Sequence, residues 1–186
     1  FFTRQQVPLG QTKPLGTGIL NTALKAELLE ATAIEMVVNQ MTELNKAAAE
    51  IMTELGAHAA TDITGFGLIG HAAEMTALGE VSFKLSFTRI PLMAGVRQWA
   101  EAGLVPGGAY SNREYRENIL DMEIATVEEW ILDVMFDPQT SGGLLIAAPA
   151  DVADIMVERI RERGFPAATV IGEVMTEPKG RIIITE

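Results

Sequence analysis

The stretch that most constrains this chain is Ala60–His71, ATDITGFGLIGH. A run of small residues, Ala57–Ala60, leads into it and reads as the end of a buried strand. Asp62 follows, with Thr61 and Thr64 on either side, and then Gly65, Gly67 and Gly70 are interleaved with Phe66, Leu68 and Ile69. A strand end, an acid, a glycine turn and an apolar helix from about Gly67 put a carboxylate and several amides at one end of a sheet. A carboxylate there can hold a hard cation through oxygen. Glycines let backbone approach a phosphate or take positive φ, and the helix N-terminus aims its amides at the same place. A structural role fits the same residues. Asp62 can cap a helix or form a turn, and the glycines can serve close helix–strand packing. Spacing alone leaves both open.

Composition narrows the function classes. The length of 186 residues suits one domain, and 48% hydrophobic residues supply a sizeable core. Twenty-five acids against 14 bases give a net charge of −11, which argues against a nucleic-acid partner. The absence of cysteine excludes disulfides, zinc–thiolate sites and a thiol nucleophile. No apolar run is long enough to span a bilayer and no secretory signal stands at the start. A cytoplasmic protein is expected. The chain begins at Phe1 and not at methionine, so it reads as a piece of a longer protein.

Residues 1–11, FFTRQQVPLGQ, show neither alternation nor helical period and are left as an unassigned linker, tag or upstream remnant. Thr12–Leu20, TKPLGTGIL, reads as extended chain turning into a helix near Ile19. Its glycines could cradle phosphate, and Lys13 reads as a solvated charge or an anion contact. A long helix is expected from Ala33 to Leu55, with Thr32 and Glu35 as a capping box and Gly56 as its stop. The helix from Gly67 should end near Gly79, and Val81–Phe87 alternates as a strand. His71 reads as a hydrogen-bonded packing histidine, while His58 has no evident partner. Pro91–Ala102 suggests a helix with Trp99 on its apolar side. Gly103–Asn118 reads as a long polar loop whose Arg113 and Arg116 are ordinary surface charges or reach a ligand phosphate.

Val127–Met135 is expected as a helix with Trp130 and Ile131 toward the core. FDPQTSGGLL, Phe136–Leu145, follows. Asp137 is a second candidate acid, read as fixing a turn ahead of Pro138 in preference to binding metal. Leu144–Ala148 should be a buried strand and Asp151–Arg163 an amphipathic helix. Val170–Met175 and Arg181–Thr185 close the chain as strands able to form a hairpin. The mixture favours an α+β domain with a mixed sheet.

The strings TDITGFGLIGH at Thr61–His71 and DPQTSGGLL at Asp137–Leu145, with TKPLGTGIL at Thr12–Leu20 and VPGG at Val105–Gly108, resemble selenophosphate synthetase, also called selenide, water dikinase. The resemblance covers residues 12–186 and corresponds to that enzyme's C-terminal domain. It implies a three-layer α/β/α mixed sheet of the aminoimidazole ribonucleotide synthetase-like superfamily. It also implies an enzyme that makes selenophosphate from selenide, ATP and water with release of AMP and phosphate, using Mg²⁺, as a homodimer when full length. In that family ATP sits largely on an N-terminal domain, which also carries a cysteine or selenocysteine paired with a lysine and several metal-binding aspartates. None of that region is recognisable here, so no catalytic residue is assigned and the chain is expected to be inactive alone. Asp62 matches the C-terminal-domain aspartate that joins the metal–phosphate site. Two other classes stay open: another ATP-dependent small-metabolite kinase of the same superfamily, and a non-catalytic interaction domain.

Overall fold

The computed structural model describes residues 7–186. Among these residues seven strands form one mixed sheet, and the residue pattern of each strand decides what covers its faces. The strands are β1 (Val7–Gln11), β2 (Ala59–Asp62), β3 (Ser82–Ser86), β4 (Leu120–Glu123), β5 (Leu144–Ala147), β6 (Thr169–Met175) and β7 (Ile182–Thr185), in the order β2-β5-β1-β6-β3-β7-β4. Pairing is antiparallel from β2 to β3 and parallel from β3 through β7 to β4. The helices are α1 (Thr17–Lys25), α2 (Ala31–Thr42), α3 (Lys46–Glu54), α4 (Gly67–Gly79), α5 (Val96–Glu101), α6 (Gly107–Arg116), α7 (Glu129–Met135) and α8 (Ala153–Glu162).

β5 shows how the layers arise. It is apolar at every position, so it is buried on both faces. Leu145 and Ala147 point to a core shared with Ile19 of α1, Leu68 and Ile69 of α4 and Val134 of α7. Leu144 and Ile146 point the other way, to Ile51 of α3 and Met156 and Ile160 of α8. Period-two alternation therefore gives one sheet with helices on both faces, which is the three-layer arrangement the resemblance implies.

Several sequence expectations are corrected. Residues 7–11 were expected to supply no strand, yet β1 is central and pairs with both β5 and β6; residues 1–6 of that unassigned segment lie outside the described residues. The expected helix Ala33–Leu55 is two helices. α2 packs on α1 through Val37, while α3 packs on the opposite face of the sheet through Ala48 and Ile51. One straight helix cannot serve both layers. The Thr32–Glu35 capping box does not form, because α2 starts after Glu30 with no side-chain cap. β2 is exposed at the edge of the sheet and is not a buried strand.

The closing hairpin is also absent: β3 lies between β6 and β7. β3 fits closely against β6 at Gly172, where a Cβ would stand 2.1 Å from the Lys84 carbonyl oxygen. The Gly103–Asn118 loop contains α6, whose buried positions are Ala109 and the polar Asn112. An apolar-periodicity reading has little to find there. β4, an edge strand of four residues, was not foreseen.

Candidate functional site

The pairing register brings the glycine motifs to one end of the sheet. Asp62, the last residue of β2, pairs with Leu144, the first of β5, and Gln11 at the end of β1 pairs with Leu145. The turn after β2, the crossing before β5 and the turn after β1 therefore meet. The Ile63 amide donates to the Gly143 carbonyl at 2.8 Å, the Gln139 amide to the Thr64 carbonyl at 2.9 Å, and the Leu144 amide to Thr12 Oγ1 at 2.8 Å. Contact is close enough to need glycine. A Cβ on Gly142 would lie 2.2 Å from the Ile63 carbonyl oxygen, and one on Gly143 would lie 2.5 Å from the Lys13 nitrogen. Gly108 of the VPGG string packs on Pro138 in the same region.

The Thr12–Leu20 turn does not offer its amides to a ligand. Gln139 Oε1 accepts from the Gly16 amide at 3.1 Å, the Thr17 amide at 3.2 Å and Thr17 Oγ1 at 3.1 Å. Asp137 Oδ2 accepts from the Gly18 amide at 3.0 Å and from Gln139 Nε2 at 2.8 Å. These side chains satisfy the first amides of α1, which have no partner within the helix. Lys13 is equally committed. It is 2% exposed, and Nζ donates to the carbonyls of Gln40 at 3.3 Å, Glu43 at 2.5 Å and Ser141 at 2.9 Å. The solvated lysine and the anion contact expected at this position are both replaced by a clamp on the C-terminus of α2. Burial lowers the pKa of Lys13, against the charge of Glu43.

Asp137 is fully buried. Burial pushes its carboxyl up to about 7, against hydrogen bonds from Ile19, Gln139 and Gly18 and with a smaller push from the charge of Asp133. Its role is to hold α1 in place.

Asp62 stands apart from this buried network. Its side chain is exposed beside the turn closed by the Gly67 amide on the Thr64 carbonyl, 3.0 Å. Gly67 has φ +69°, and a Cβ there would be 2.8 Å from the Phe136 carbonyl carbon; Gly65 faces open space. The surface at the start of α4 thus offers one free carboxylate, an unobstructed glycine and a helix N-terminus. Among the described residues, no cluster of three or more His, Cys, Asp or Glu side chains could hold a metal ion. Asp62 fits one ligand of a shared ion and does not supply a whole shell.

The family follows from the chain as a whole. Residues 9–185 match the model of the AIR synthase related protein, C-terminal domain. The chain belongs to that family. Selenide, water dikinase of Pelobacter propionicus is 44% identical over 173 residues, which is 93% of this chain and 49% of the relative. That of Citrifermentans bemidjiense is 46% identical over 91% of this chain and 47% of the relative. The chain spans about half the length of the curated relatives it matches. Among solved structures, hydrogenase maturation protein HypE in complex with ATP superposes with TM-score 0.69 at 15% identity, covering 97% of this chain and 48% of that one. Thiamine-monophosphate kinase from Stenotrophomonas maltophilia superposes with TM-score 0.63 at 13% identity, covering 97% and 50%. These likenesses are of fold.

The remaining candidates separate clearly within this family domain. His58 is exposed and has only its backbone amide engaged, on the Ala147 carbonyl at 2.8 Å. Arg113 is tied to Glu117 at 3.0 Å and to Glu129. Arg116 lies over the Tyr115 ring at 4.4 Å and lines a cleft with Phe66, Gly70, Glu74 and Asn112. His71 is buried and hydrogen-bonded, as expected, to Thr64 and Glu74. Sequence reading missed Gln139 and Asn112. Asn112 Nδ2 donates to the Gly65 carbonyl at 2.9 Å and the Phe136 carbonyl at 3.0 Å, tying α6 to both motifs. No local signal marks such long-range bonds. Among the described residues, no helix is long and apolar enough to cross a membrane.

Proposed function

We propose that this chain is the C-terminal half of a selenide, water dikinase, an enzyme that makes selenophosphate from selenide, ATP and water and releases AMP and phosphate. The observation that carries this reading is 38–46% identity over about nine-tenths of the chain to several relatives of that name. The converging motifs agree with it. The same strings that carry the resemblance build one end of the sheet, and that end exposes Asp62 beside the start of α4.

In this reading Mg²⁺ is shared. Asp62 supplies one oxygen, and nucleotide phosphates and acids from the rest of the enzyme supply others. Mg²⁺ typically keeps several waters and takes only one or two carboxylates beside substrate phosphates. Bound there, the ion would neutralise charge developing on phosphate oxygens. The residues of this chain position and orient. Gly65 leaves room for a phosphate against the backbone, and the Gly67 turn fixes the direction of α4. ATP and selenide are the small-molecule partners, and a cytoplasmic homodimer belongs to the same reading. A small-metabolite kinase is the second reading, but the thiamine-monophosphate kinase likeness is one of fold at 13% identity.

The test is AMP release by the full-length protein with and without selenide. Selenide-dependent release is expected from the full-length protein, and none from residues 1–186 alone. Turnover by this chain alone, or release by the full-length protein indifferent to selenide, overturns the reading.

A further inference from the structure

His71 is 6% exposed and is bonded at both ring nitrogens. Nδ1 faces Glu74 Oε2 at 3.2 Å, and Nε2 faces Thr64 Oγ1 at 3.0 Å. A carboxylate only accepts. In the neutral ring Nδ1 therefore carries the hydrogen and Nε2 is the acceptor. The Thr64 hydroxyl donates into the ring, and its oxygen keeps lone pairs able to accept. The order hydroxyl, imidazole, carboxylate is the logic of an activated hydroxyl.

The two ends of this chain of bonds open on different surfaces. Thr64 is half-buried and stands two residues after Asp62. The buried Ile63 between them donates its amide to Gly143, just ahead of β5, so a chain still extended there puts Asp62 and Thr64 on the same side. Glu74 is one turn along α4 from His71, and its side chain is 46% exposed in the cleft shared with Tyr115 and Arg116. Phe66 screens the ring in between, with centroids 5.6 Å apart. That position depends on Gly70, where a Cβ would meet the Phe66 Cβ at 2.5 Å.

We propose that Thr64, His71 and Glu74 form a proton relay that takes up the proton of an attacking water at the Asp62 surface. It rests on the phosphoryl-transfer reading above. The water oxygen forms a bond to phosphorus as the bond from phosphorus to the leaving oxygen breaks, and the leaving oxygen keeps that electron pair. The water proton passes to Thr64 Oγ1 while the Thr64 hydroxyl proton passes to His71 Nε2. The imidazolium formed lies against the Glu74 carboxylate, which balances its charge while the product leaves; the Nε2 proton then returns through Thr64 to solvent, and the Nδ1–H tautomer is restored. Thr64 meets the reacting water; His71 and Glu74 position it and take up the charge.

Two measurements test the relay. On this chain, ¹⁵N NMR of His71 is expected to show hydrogen on Nδ1 and a hydrogen-bonded acceptor at Nε2. T64V should move Nε2 to a free-acceptor shift, and T64S should restore it. Hydrogen on Nε2 in the folded chain overturns the relay, because the ring then donates to Thr64 and cannot take its proton. In the full-length enzyme, T64V and H71Q are expected to lower kcat by about 10²–10⁴ with KM nearly unchanged, the usual range for losing acid–base assistance. H71Q should also reduce the solvent deuterium isotope effect on turnover, and T64S should recover most of kcat. Equal losses in T64V and T64S, or an unchanged isotope effect in H71Q, overturn the relay in favour of packing. A wild-type enzyme without selenide-dependent AMP release overturns the reaction itself, and the NMR result then stands separately.

Discussion

Asp137 caps α1 from 119 residues further along the chain, its Oδ2 accepting the Gly18 amide at 3.0 Å. The carboxyl is fully buried and burial raises its pKa from 3.8 to about 7. A carboxyl with a higher pKa in the folded state than in the unfolded chain contributes stability that is complete below the unfolded value. That contribution is lost as pH rises through the folded value. The window here runs from about pH 4 to about pH 7. Urea denaturation of the wild-type chain is expected to show a loss on the order of 2–3 kcal/mol between pH 5 and pH 8 from this group. D137N cannot ionise and should show a flatter profile over the same range. Equal slopes for the two proteins would remove Asp137 as the source.

Lys13 makes a second long-range closure. Its ammonium holds the carbonyls of Gln40, Glu43 and Ser141, which joins α2 to the crossing ahead of β5. K13M keeps the length of the stem and leaves those carbonyls without the donor. The expected loss is roughly 1.5–3 kcal/mol, from hydrogen bonds to a charged donor that are no longer made. Lys46 is the control: its side chain is 77% exposed and its pair with Glu50 is an i,i+4 contact at 3.8 Å. K46M should change stability by less than about 0.5 kcal/mol, as is usual for exposed pairs. Thermal melts of the two variants side by side check the difference.

The two glycines of the Gly65–Phe66–Gly67 turn are expected to differ. Gly67 has φ +69° and no room for a Cβ against the Phe136 backbone. G67A should cost about 2–4 kcal/mol, combining left-handed strain with overpacking. Gly65 has open space around it, so G65A should fold with nearly the wild-type melting temperature. Its expected effect is on the full-length enzyme, as weaker nucleotide-dependent turnover, because a methyl group would stand where a phosphate approaches. Stability loss in G65A comparable to G67A would assign both glycines to packing.

Much of this architecture follows from local pattern, and its limits have identifiable causes. The helix from Gly67 to Gly79, the alternation of β3 and the two-faced burial of β5 are each written within a few residues. β1 is not, because Pro8 and Gly10 break any strand signal. It becomes a strand because β5 and β6 flank it and Leu9 fills the core. Residues Glu43–Asn45 carry no helix breaker, yet the helix stops there. Lys13 holds the carbonyls at the end of α2, and Asn45 Nδ2 donates to the Gly142 carbonyl at 2.8 Å. Asp137 was legible as a turn residue from Pro138 beside it. Its hold on Gly18 depends on residues 119 positions away and leaves no local trace. At the site, Asp62 came from the motif, while the relay partners of His71 needed coordinates.

The most direct check of the site is Asp62. Its carboxylate is exposed at the edge of the sheet, outside the buried network of Asp137, Gln139 and Lys13. D62N keeps the shape and removes the charge. Since exposed substitutions change stability by about 0.5 kcal/mol or less, circular dichroism melts of wild type and D62N should nearly coincide. In the full-length enzyme, selenide-dependent AMP release should fall by 10-fold or more, about 1.4 kcal/mol of transition-state stabilisation or greater. The isolated chain should bind no ordered divalent ion at Asp62. Mg²⁺ gives up water reluctantly and needs near-octahedral oxygen ligands, and one exposed carboxylate competes poorly with bulk water for it. A Mn²⁺ soak read by anomalous scattering separates the cases. A well-occupied peak on Asp62, its shell completed by this chain alone, would make the metal site local to this domain. Coincident melts with unchanged AMP release would instead leave Asp62 as a turn residue and move the metal–phosphate site elsewhere.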